Sequence, residues 1–388
     1  MKANVMPASQ NRDSQAGSDS VLQNPGRFDS APLDVVCVGT SPRMLIEGLE
    51  IASRGRSVVF IDRSNHIGGG WGTCDLFGLR KVETGVHLFE NRTQLNAEIC
   101  GLIGESAILT SKSEDFGVFC NRRIPMSTAR VLMYGGLLAK ATLRRRLDEA
   151  EHSLKQFFAS LFNMRVPFIY PIGGVGALLD GLHDRLASNG AKFVFGSQVE
   201  LVDTRPSGLS VKVNGVWRSA AHVVMASRAH APIVGLEHHL NGLRTSRVRS
   251  IVLLVNERSS AFGGYVEILG RRTLKRVRNL TRYYPELRSG SLLIAQTRLN
   301  AFGDQVSEVD LVNALVEIGL LSRSTKVRES AIFDFHFKTL PRRYSRLVAR
   351  RHGEHVTILD TVDFSNVRSK GRWEETDKNR GARYVPRR

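Results

Sequence analysis

The sequence predicts an α/β fold: a Rossmann-like domain on a parallel sheet, a second mixed-sheet α+β domain, and a helical cap. Three observations predict it. Leu33–Val38 (LDVVCV) and Ser57–Ile61 (SVVFI) are short, β-branched runs almost without polar alternation, the pattern of strands buried on both faces. Between them Leu45, Leu49 and Ala52 recur at helical spacing, which makes a β–α–β unit. Farther on, from about 245 to 340, apolar runs such as Ile251–Val255 and Ser291–Ala295 are joined to a helical stretch at Val309–Leu321, as in a mixed sheet.

Taken in order, residues 1–30 are rich in Ser, Asn, Gln, Asp and Gly without periodicity, and predict a disordered leader. Gly39 ends the first strand, Ser41 can cap the helix that follows, Pro42 suits its first turn and Gly55 stops it. Asp62 closes the second strand 23 residues after Gly39, near the offset of the acid that hydrogen-bonds the ribose of an adenine dinucleotide. Glycine is favoured at such a turn because a side chain would hold a pyrophosphate away from the amides at the helix amino end. Ser41 and Met44 occupy the second and third glycine positions of a GxGxxG pattern. Ser41 keeps an amide and a hydroxyl for a phosphate, whereas Met44 predicts looser helix-to-strand packing.

The continuation from Asp62 to Thr73 (DRSNHIGGGWGT) resembles the close of the first β–α–β unit in FAD-dependent oxidoreductases of the amine oxidase and protoporphyrinogen oxidase type. There an acid is followed by paired glycines and often a threonine, the positions of Asp62, Gly68, Gly69 and Thr73; Gly70 stands where an arginine is common. Val82–Phe89 (VETGVHLF) is similar to the DxGxHxF-type segment of UDP-galactopyranose mutases, with Glu83, Gly85, His87 and Phe89 aligned. Tyr170–Leu179 (YPIGGVGALL) resembles the approach to the helix of the second FAD-binding section. The resemblance implies an FAD/NAD(P)-binding fold with FAD as cofactor, held by Gly39, Ser41, Asp62, Arg63, Gly68, Gly69, Gly70 and Thr73. It adds Val199, whose position meets the adenine through its backbone, and Ala226, which ends the strand His222–Ala226 leading back to the cofactor. Val356–Leu359 is a candidate last strand, and Gly371-Arg372-Trp373 resembles a GR-type closing turn.

This order divides the chain into cofactor sections at 33–90 and 167–232, a helical cap or insertion at 91–165, a substrate domain at 245–340, a return to the cofactor domain at 350–375 and a basic tail at 376–388. At 388 residues the chain exceeds one ordinary core, and 42% apolar residues suffice to fold two. No apolar run approaches a membrane span, and the start lacks the order of a secretory signal, so a cytoplasmic location is expected. Cys37, Cys74, Cys100 and Cys120 show no CxxC pairing, which argues against a disulfide framework or a thiolate metal site. The net charge of +18 favours anionic partners, with basic runs at Arg144–Arg146, Arg271–Arg278 and Arg342–Arg351. Read as solvated helix surface these runs do nothing specific; read as a site they suit a nucleotide sugar, a lipid phosphate or an anionic membrane face. No zinc-finger, homeodomain or RNP-type pattern accompanies them, so nucleic acid is not expected.

His87 is the candidate catalytic residue, because the resemblance brings it towards the flavin ring and imidazole can donate a hydrogen bond or move a proton. Trp71 and Trp373 can wall that ring or fill core. Arg282, Tyr283 and Tyr284 are a candidate substrate platform, since guanidinium and phenols suit phosphorylated or sugar ligands; a packed strand edge is the alternative. Gly173, Gly174 and Gly176 precede a helix without the GK[ST] of a P-loop, HGEH at His352–His355 lacks further metal ligands, and no GxSxG elbow occurs. Three functions compete: an FAD-dependent oxidoreductase taking hydride from a small molecule, a redox-neutral mutase acting on a nucleotide sugar, and a non-catalytic binding protein like Rab GDP dissociation inhibitors, which share the fold without using flavin.

Overall fold

The structure, a computed structural model, describes residues 33–87, 89–90, 108–110, 115–143, 150, 153–154, 157–158, 161, 168–171, 173–205, 208–226, 244–258, 264–270, 274–298, 306–339, 347–348, 350, 352 and 355–359. The leader, Arg144–Arg146, Arg271, Arg272, the Gly371-Arg372-Trp373 segment and the basic tail lie outside the described residues.

The first sheet grows from β1 (Leu33–Val38) and β2 (Val58–Ile61), joined by α1 (Pro42–Ser53). Its order is β10 (Lys192–Val194), β2, β1, β13 (Val216–Ala226), β12 (Gly208–Val213), β11 (Val199–Arg205), with β19 (Val356–Leu359) also beside β13. Strands β10, β2, β1, β13 and β19 run parallel, while β11, β12 and the first half of β13 form an antiparallel meander. Both faces of β1 are buried: Val35 and Cys37 enter one core and Val36 and Val38 the other, which is why the run shows no polar alternation.

Two smaller sheets follow: β3 (Thr73–Leu76) with β4 (Leu79–Glu83), and β5 (Phe89–Glu90), β9 (Phe168–Pro171) and β6 (Ile108–Thr110). The second large sheet has the order β18 (Val327–Thr339), β14 (Arg244–Val255), β17 (Ser291–Arg298), β16 (Leu274–Asn279), β15 (Tyr265–Leu269), β7 (Phe116–Phe119), β8 (Arg122–Pro125). Strands β7 and β8 correct the helical reading of 91–165. The turn residues Cys120 and Asn121 both adopt left-handed φ, +50° and +60°, the geometry of a two-residue hairpin, and β7 then pairs with β15 in parallel. The local composition gives no NG or DG signal for that turn. A helix, α2 (Met126–Leu143), follows the hairpin.

Helix α1 and helix α3 (Gly174–Ser188) lie between the two large sheets. One continuous core runs from Val35 and Phe60 through Leu45, Leu178 and Leu182 to Val252, Leu292 and Ile294. The opposite face of the second sheet packs Ile251, Leu253 and Leu293 against Leu311 and Leu315 of α4 (Glu308–Glu317). That helix opens with a reciprocal capping box, Ser307 accepting from the Asp310 amide and Asp310 accepting from the Ser307 amide. The looser packing predicted from Met44 is corrected. Met44 is fully buried, and the close approach comes one turn later, where a Cβ on Gly48 would stand 2.2 Å from Cζ of Phe60.

Burial also grades the thiols. Enclosure in β1, with the Glu47 charge adding to it, pushes Cys37 far above the usual thiol range, and burial followed by Asp75 pushes Cys74 up to about 11. Cys120 is exposed at the hairpin tip. Because only the thiolate reacts, a maleimide at neutral pH is expected to modify Cys120 and spare Cys37 until denaturant is added. Peptide mapping by mass spectrometry checks this, and labelling of native Cys37 would show that β1 is not enclosed.

Candidate functional site: the Gly39 turn and the His87 cluster

Gly39 leaves β1 with φ +90° and donates its amide to the Ile61 carbonyl at 2.8 Å. Thr40 follows, buried, and its amide and hydroxyl both donate to Oδ2 of Asp62, at 2.8 and 2.6 Å. The Ser64 amide donates to Oδ1 at 2.9 Å. An ionised carboxylate offers about four acceptor positions; three are filled from within the chain, and one remains on Oδ1. The glycine run is fastened to the same turn, since the Gly68 amide donates to the carbonyl and the hydroxyl of Thr40, at 3.1 Å each. Gly68 and Gly69 take φ of +109° and +56°, and a Cβ on Gly69 would lie 3.6 Å from the Ser41 amide. Two glycines are therefore required by backbone conformation, and the second sits against the amino end of α1.

Ser41 occupies the N-cap position, where its carbonyl accepts from Leu45 at 2.9 Å. Its side chain does not cap, and its hydroxyl is buried without a hydrogen-bond partner. A buried donor at the positive end of a helix, beside left-handed Gly39, is a position that a phosphate oxygen satisfies. The residues therefore fit the diphosphate of a dinucleotide and leave Asp62 one acceptor for a ribose hydroxyl. The amides of Gly196 and Ser197 donate to the carbonyls of Ser64 and Asp62, at 3.0 Å each, which brings the start of β11, and with it Val199, beside Asp62. Ala226 ends β13 next to the end of β1, Thr73 begins β3, and Arg63 and Gly70 are exposed.

A second cluster forms around His87. A Cβ on Gly85 would stand 2.9 Å from the His87 ring, so glycine there is what lets the imidazole fold back. The ring stacks on Trp71, with centroids 4.2 Å apart and planes 17° apart. Nδ1 faces Oε2 of Glu83 at 3.4 Å and Nε2 faces the Gly70 carbonyl at 3.1 Å. Both partners are acceptors, so the two contacts are satisfied together only when the pair carries an extra proton, on the ring or on the carboxyl. Glu83 is 0% exposed and its Oε1 has no partner.

The second sheet closes this cluster. Arg278 on β16, 2% exposed, donates to the His87 carbonyl at 2.5 Å and to the Tyr283 hydroxyl at 3.1 Å, with its guanidinium 3.5 Å above the Tyr170 ring. Tyr284 donates to the Lys81 carbonyl at 3.0 Å; burial, reinforced by the Glu83 charge, pushes its phenol far above the usual range. Of the two readings of Tyr283 and Tyr284, platform or packed edge, the packing is what the contacts describe. Both rings are buried walls between the sheets, and only Arg282 of the three is exposed, donating to the Tyr283 hydroxyl at 2.9 Å.

The structure thus gathers Gly39, Ser41, Asp62, Gly68 and Gly69 at one turn, and His87, Trp71, Tyr283 and Tyr284 at another. Sequence reasoning gave no site role to Thr40 or Arg278, and read Tyr170 only as the start of the segment leading to the second cofactor helix. Arg278 was not singled out from a basic run left open between solvated surface and anion site, although it stands beside buried Val277 near the end of a strand. Among the described residues no group of His, Cys, Asp and Glu is arranged to hold a metal, and no helix is long and apolar enough to cross a membrane.

No protein-family model matches the chain, and no curated protein matches it by sequence. Solved structures do match in fold. A putative protoporphyrinogen oxidase from Exiguobacterium sp. superposes with a TM-score of 0.58 at 12% identity, over 85% of this chain and 94% of that one. Reduced UDP-galactopyranose mutase gives 0.60 at 11%, over 84% and 89%. A Rab GDI from Plasmodium falciparum gives 0.52 at 12%, over 85% and 93%.

Proposed function

We propose that this chain is an FAD-dependent oxidoreductase that takes hydride from a small-molecule substrate, anions included. The observation that carries the proposal is the Ser41 hydroxyl, buried and unpartnered at the amino end of α1, between left-handed Gly39 and the Gly68–Gly69 backbone. Phosphates at that point would be met by the α1 amides, Ser41 and the Gly69 backbone, and one ribose hydroxyl by the remaining acceptor of Asp62. Arg63, Gly70, Thr73, Val199 and Ala226 complete the proposed cofactor contacts. Bound FAD supplies the two-electron acceptor.

The protein's own part is positioning and proton handling. His87, fixed by Glu83, Gly70 and Trp71, would donate a hydrogen bond or move a proton. Tyr170, Tyr283 and Tyr284 exclude water behind it. One observation favours a second reading, a binding protein that uses no flavin: three acceptor positions of Asp62 are already filled by Thr40 and Ser64.

Visible flavin absorbance in the purified chain, or a saturable change on titration with FAD, decides between the two. The expected result is binding that Gly69→Val abolishes, because a β-branched residue at φ +56° displaces the turn and its side chain would enter the diphosphate position. Absence of any binding by the folded wild-type chain would leave the binding-protein reading. For His87→Ala, FAD affinity is expected to stay near wild type while anaerobic flavin reduction slows by about 100-fold, the scale of one acid–base group. Equal reduction rates would remove His87 from the chemistry.

A further inference from the structure

The geometry points to α2 as the part of this chain that docks onto an anionic bilayer surface. The observation behind it is an 18-residue helix that buries almost nothing: of Met126–Leu143, Ala129 and Ala141 alone are fully enclosed. Its first turns rest on the hairpin edge of the second sheet. Gly117 of β7 makes room for this, since a Cβ there would stand 2.3 Å from Cβ of Ala129. Beyond that seat Val131, Met133, Tyr134 and Leu138 are partly covered, and the opposite face of the helix meets water. Leu132, Gly136, Ala139 and Leu143 recur every three or four residues, all exposed, and Leu143 is 85% so.

The chain adds a second apolar row alongside. Phe157 packs against α2, its ring 3.4 Å from where a Cβ on Gly135 would be. Leu154, Phe158 and Leu161, each helical and each exposed, follow the i, i+4, i+7 spacing of one helix face. Exposed apolar area of this extent marks a contact site, because isolated exposed leucines are ordinary but two adjoining rows are not.

Charge selects the occupant. From Asn121 to Leu147 the sequence carries seven basic residues and no acid, within a chain of net charge +18. Arg122, Arg123 and Lys140 are exposed around the helix, and Arg144, Arg145 and Arg146 follow its last residue in sequence. Apolar rows bordered by cations fit the boundary between acyl chains and anionic headgroups, where long basic side chains keep their heads in water. The helix is not apolar enough to span, so the proposed contact is peripheral. An acidic protein groove would also attract the cations, but it would not require two adjoining rows of exposed apolar positions.

Cosedimentation of the full chain with phosphatidylcholine vesicles, with and without about 30% phosphatidylserine, tests the assignment. The expected result is binding to the anionic vesicles, weakened by added salt, and weak binding to neutral ones. Leu132→Asp/Leu143→Asp, at exposed positions that leave the melting temperature unchanged, is expected to weaken binding by about tenfold or more, as apolar contacts and headgroup attraction are both reduced. Failure of the wild-type chain to bind anionic vesicles overturns the proposal. So does equal binding by the double variant, which would mean that charge elsewhere does the work. A third outcome, no vesicle binding together with a dimer that the double variant dissociates, also overturns it and gives the face to a second copy of the chain.

Discussion

Asp62→Ala is expected to lose about 3 kcal/mol of folding stability, because it strips the acceptor from the buried Thr40 amide and from the Ser64 amide, and unmet buried donors cost about 1–3 kcal/mol each. The Thr40 amide is the dominant contributor, since Thr40 is almost completely enclosed and water cannot replace the carboxylate there. Ser64 is half-buried and contributes less. Asp62→Asn keeps one acceptor oxygen, so about half the loss is expected. Denaturant unfolding reads the difference as a shift in midpoint at constant slope. The alternative is specific: an Asp62 that served only as a ribose hook would give an alanine variant as stable as wild type, with nucleotide affinity alone reduced. A stability loss in the absence of ligand therefore identifies the carboxylate as the fastening of the Gly39 turn, whatever else it binds.

How much of this was readable in the sequence follows from what each residue's neighbours are. Leu33–Val38, Val58–Ile61 and α1 announce themselves because local chain chemistry and global burial agree: β-branched runs bounded by Gly39 and Asp62, and apolar spacing broken by Gly55. Gly68 and Gly69 were legible through the resemblance of the Asp62–Thr73 segment, and their left-handed φ is what only glycine adopts freely. Three features were not. Gly48 looks like an ordinary helix glycine until Phe60, on the facing strand, is placed against it. The hairpin turn at Cys120–Asn121 lacks turn-favouring glycine, and its strands owe their existence to pairing with β15, which is 150 residues away between Asp115 and Tyr265. Arg278 illustrates the deepest limit: its place in a basic run does not tell surface from site, and only the folded sheet shows that its partners are the Tyr283 phenol five residues on and, from distant segments, the His87 carbonyl and the Tyr170 ring.

Removing that guanidinium is the sharper test of how the second large sheet is joined to the His87 loop and to β9. Arg278→Ala is expected to lose about 4 kcal/mol: hydrogen bonds from a charged donor contribute about 1.5–3 kcal/mol each and a desolvated cation over an aromatic face about 2, offset by the desolvation that the missing charge no longer incurs. Arg278→Lys should recover little, because a single ammonium cannot span the His87 carbonyl, the Tyr283 hydroxyl and the Tyr170 face together. Arg278→Met keeps the stem and much of the volume, so it separates lost donors from a lost cavity filler, and about half the alanine effect is expected. Stability alone would not show that His87 is what Arg278 positions. Trp71 stacks on the His87 ring at 4.2 Å, so in a chain where Trp217 and Trp373 are phenylalanine its emission reports where that ring lies. A change in Trp71 emission on Arg278→Met, below the unfolding transition, is the expected signature of a histidine released from its carbonyl anchor. Wild-type emission and wild-type stability in that variant would reduce Arg278 to packing and detach the second sheet from the chemistry proposed at His87.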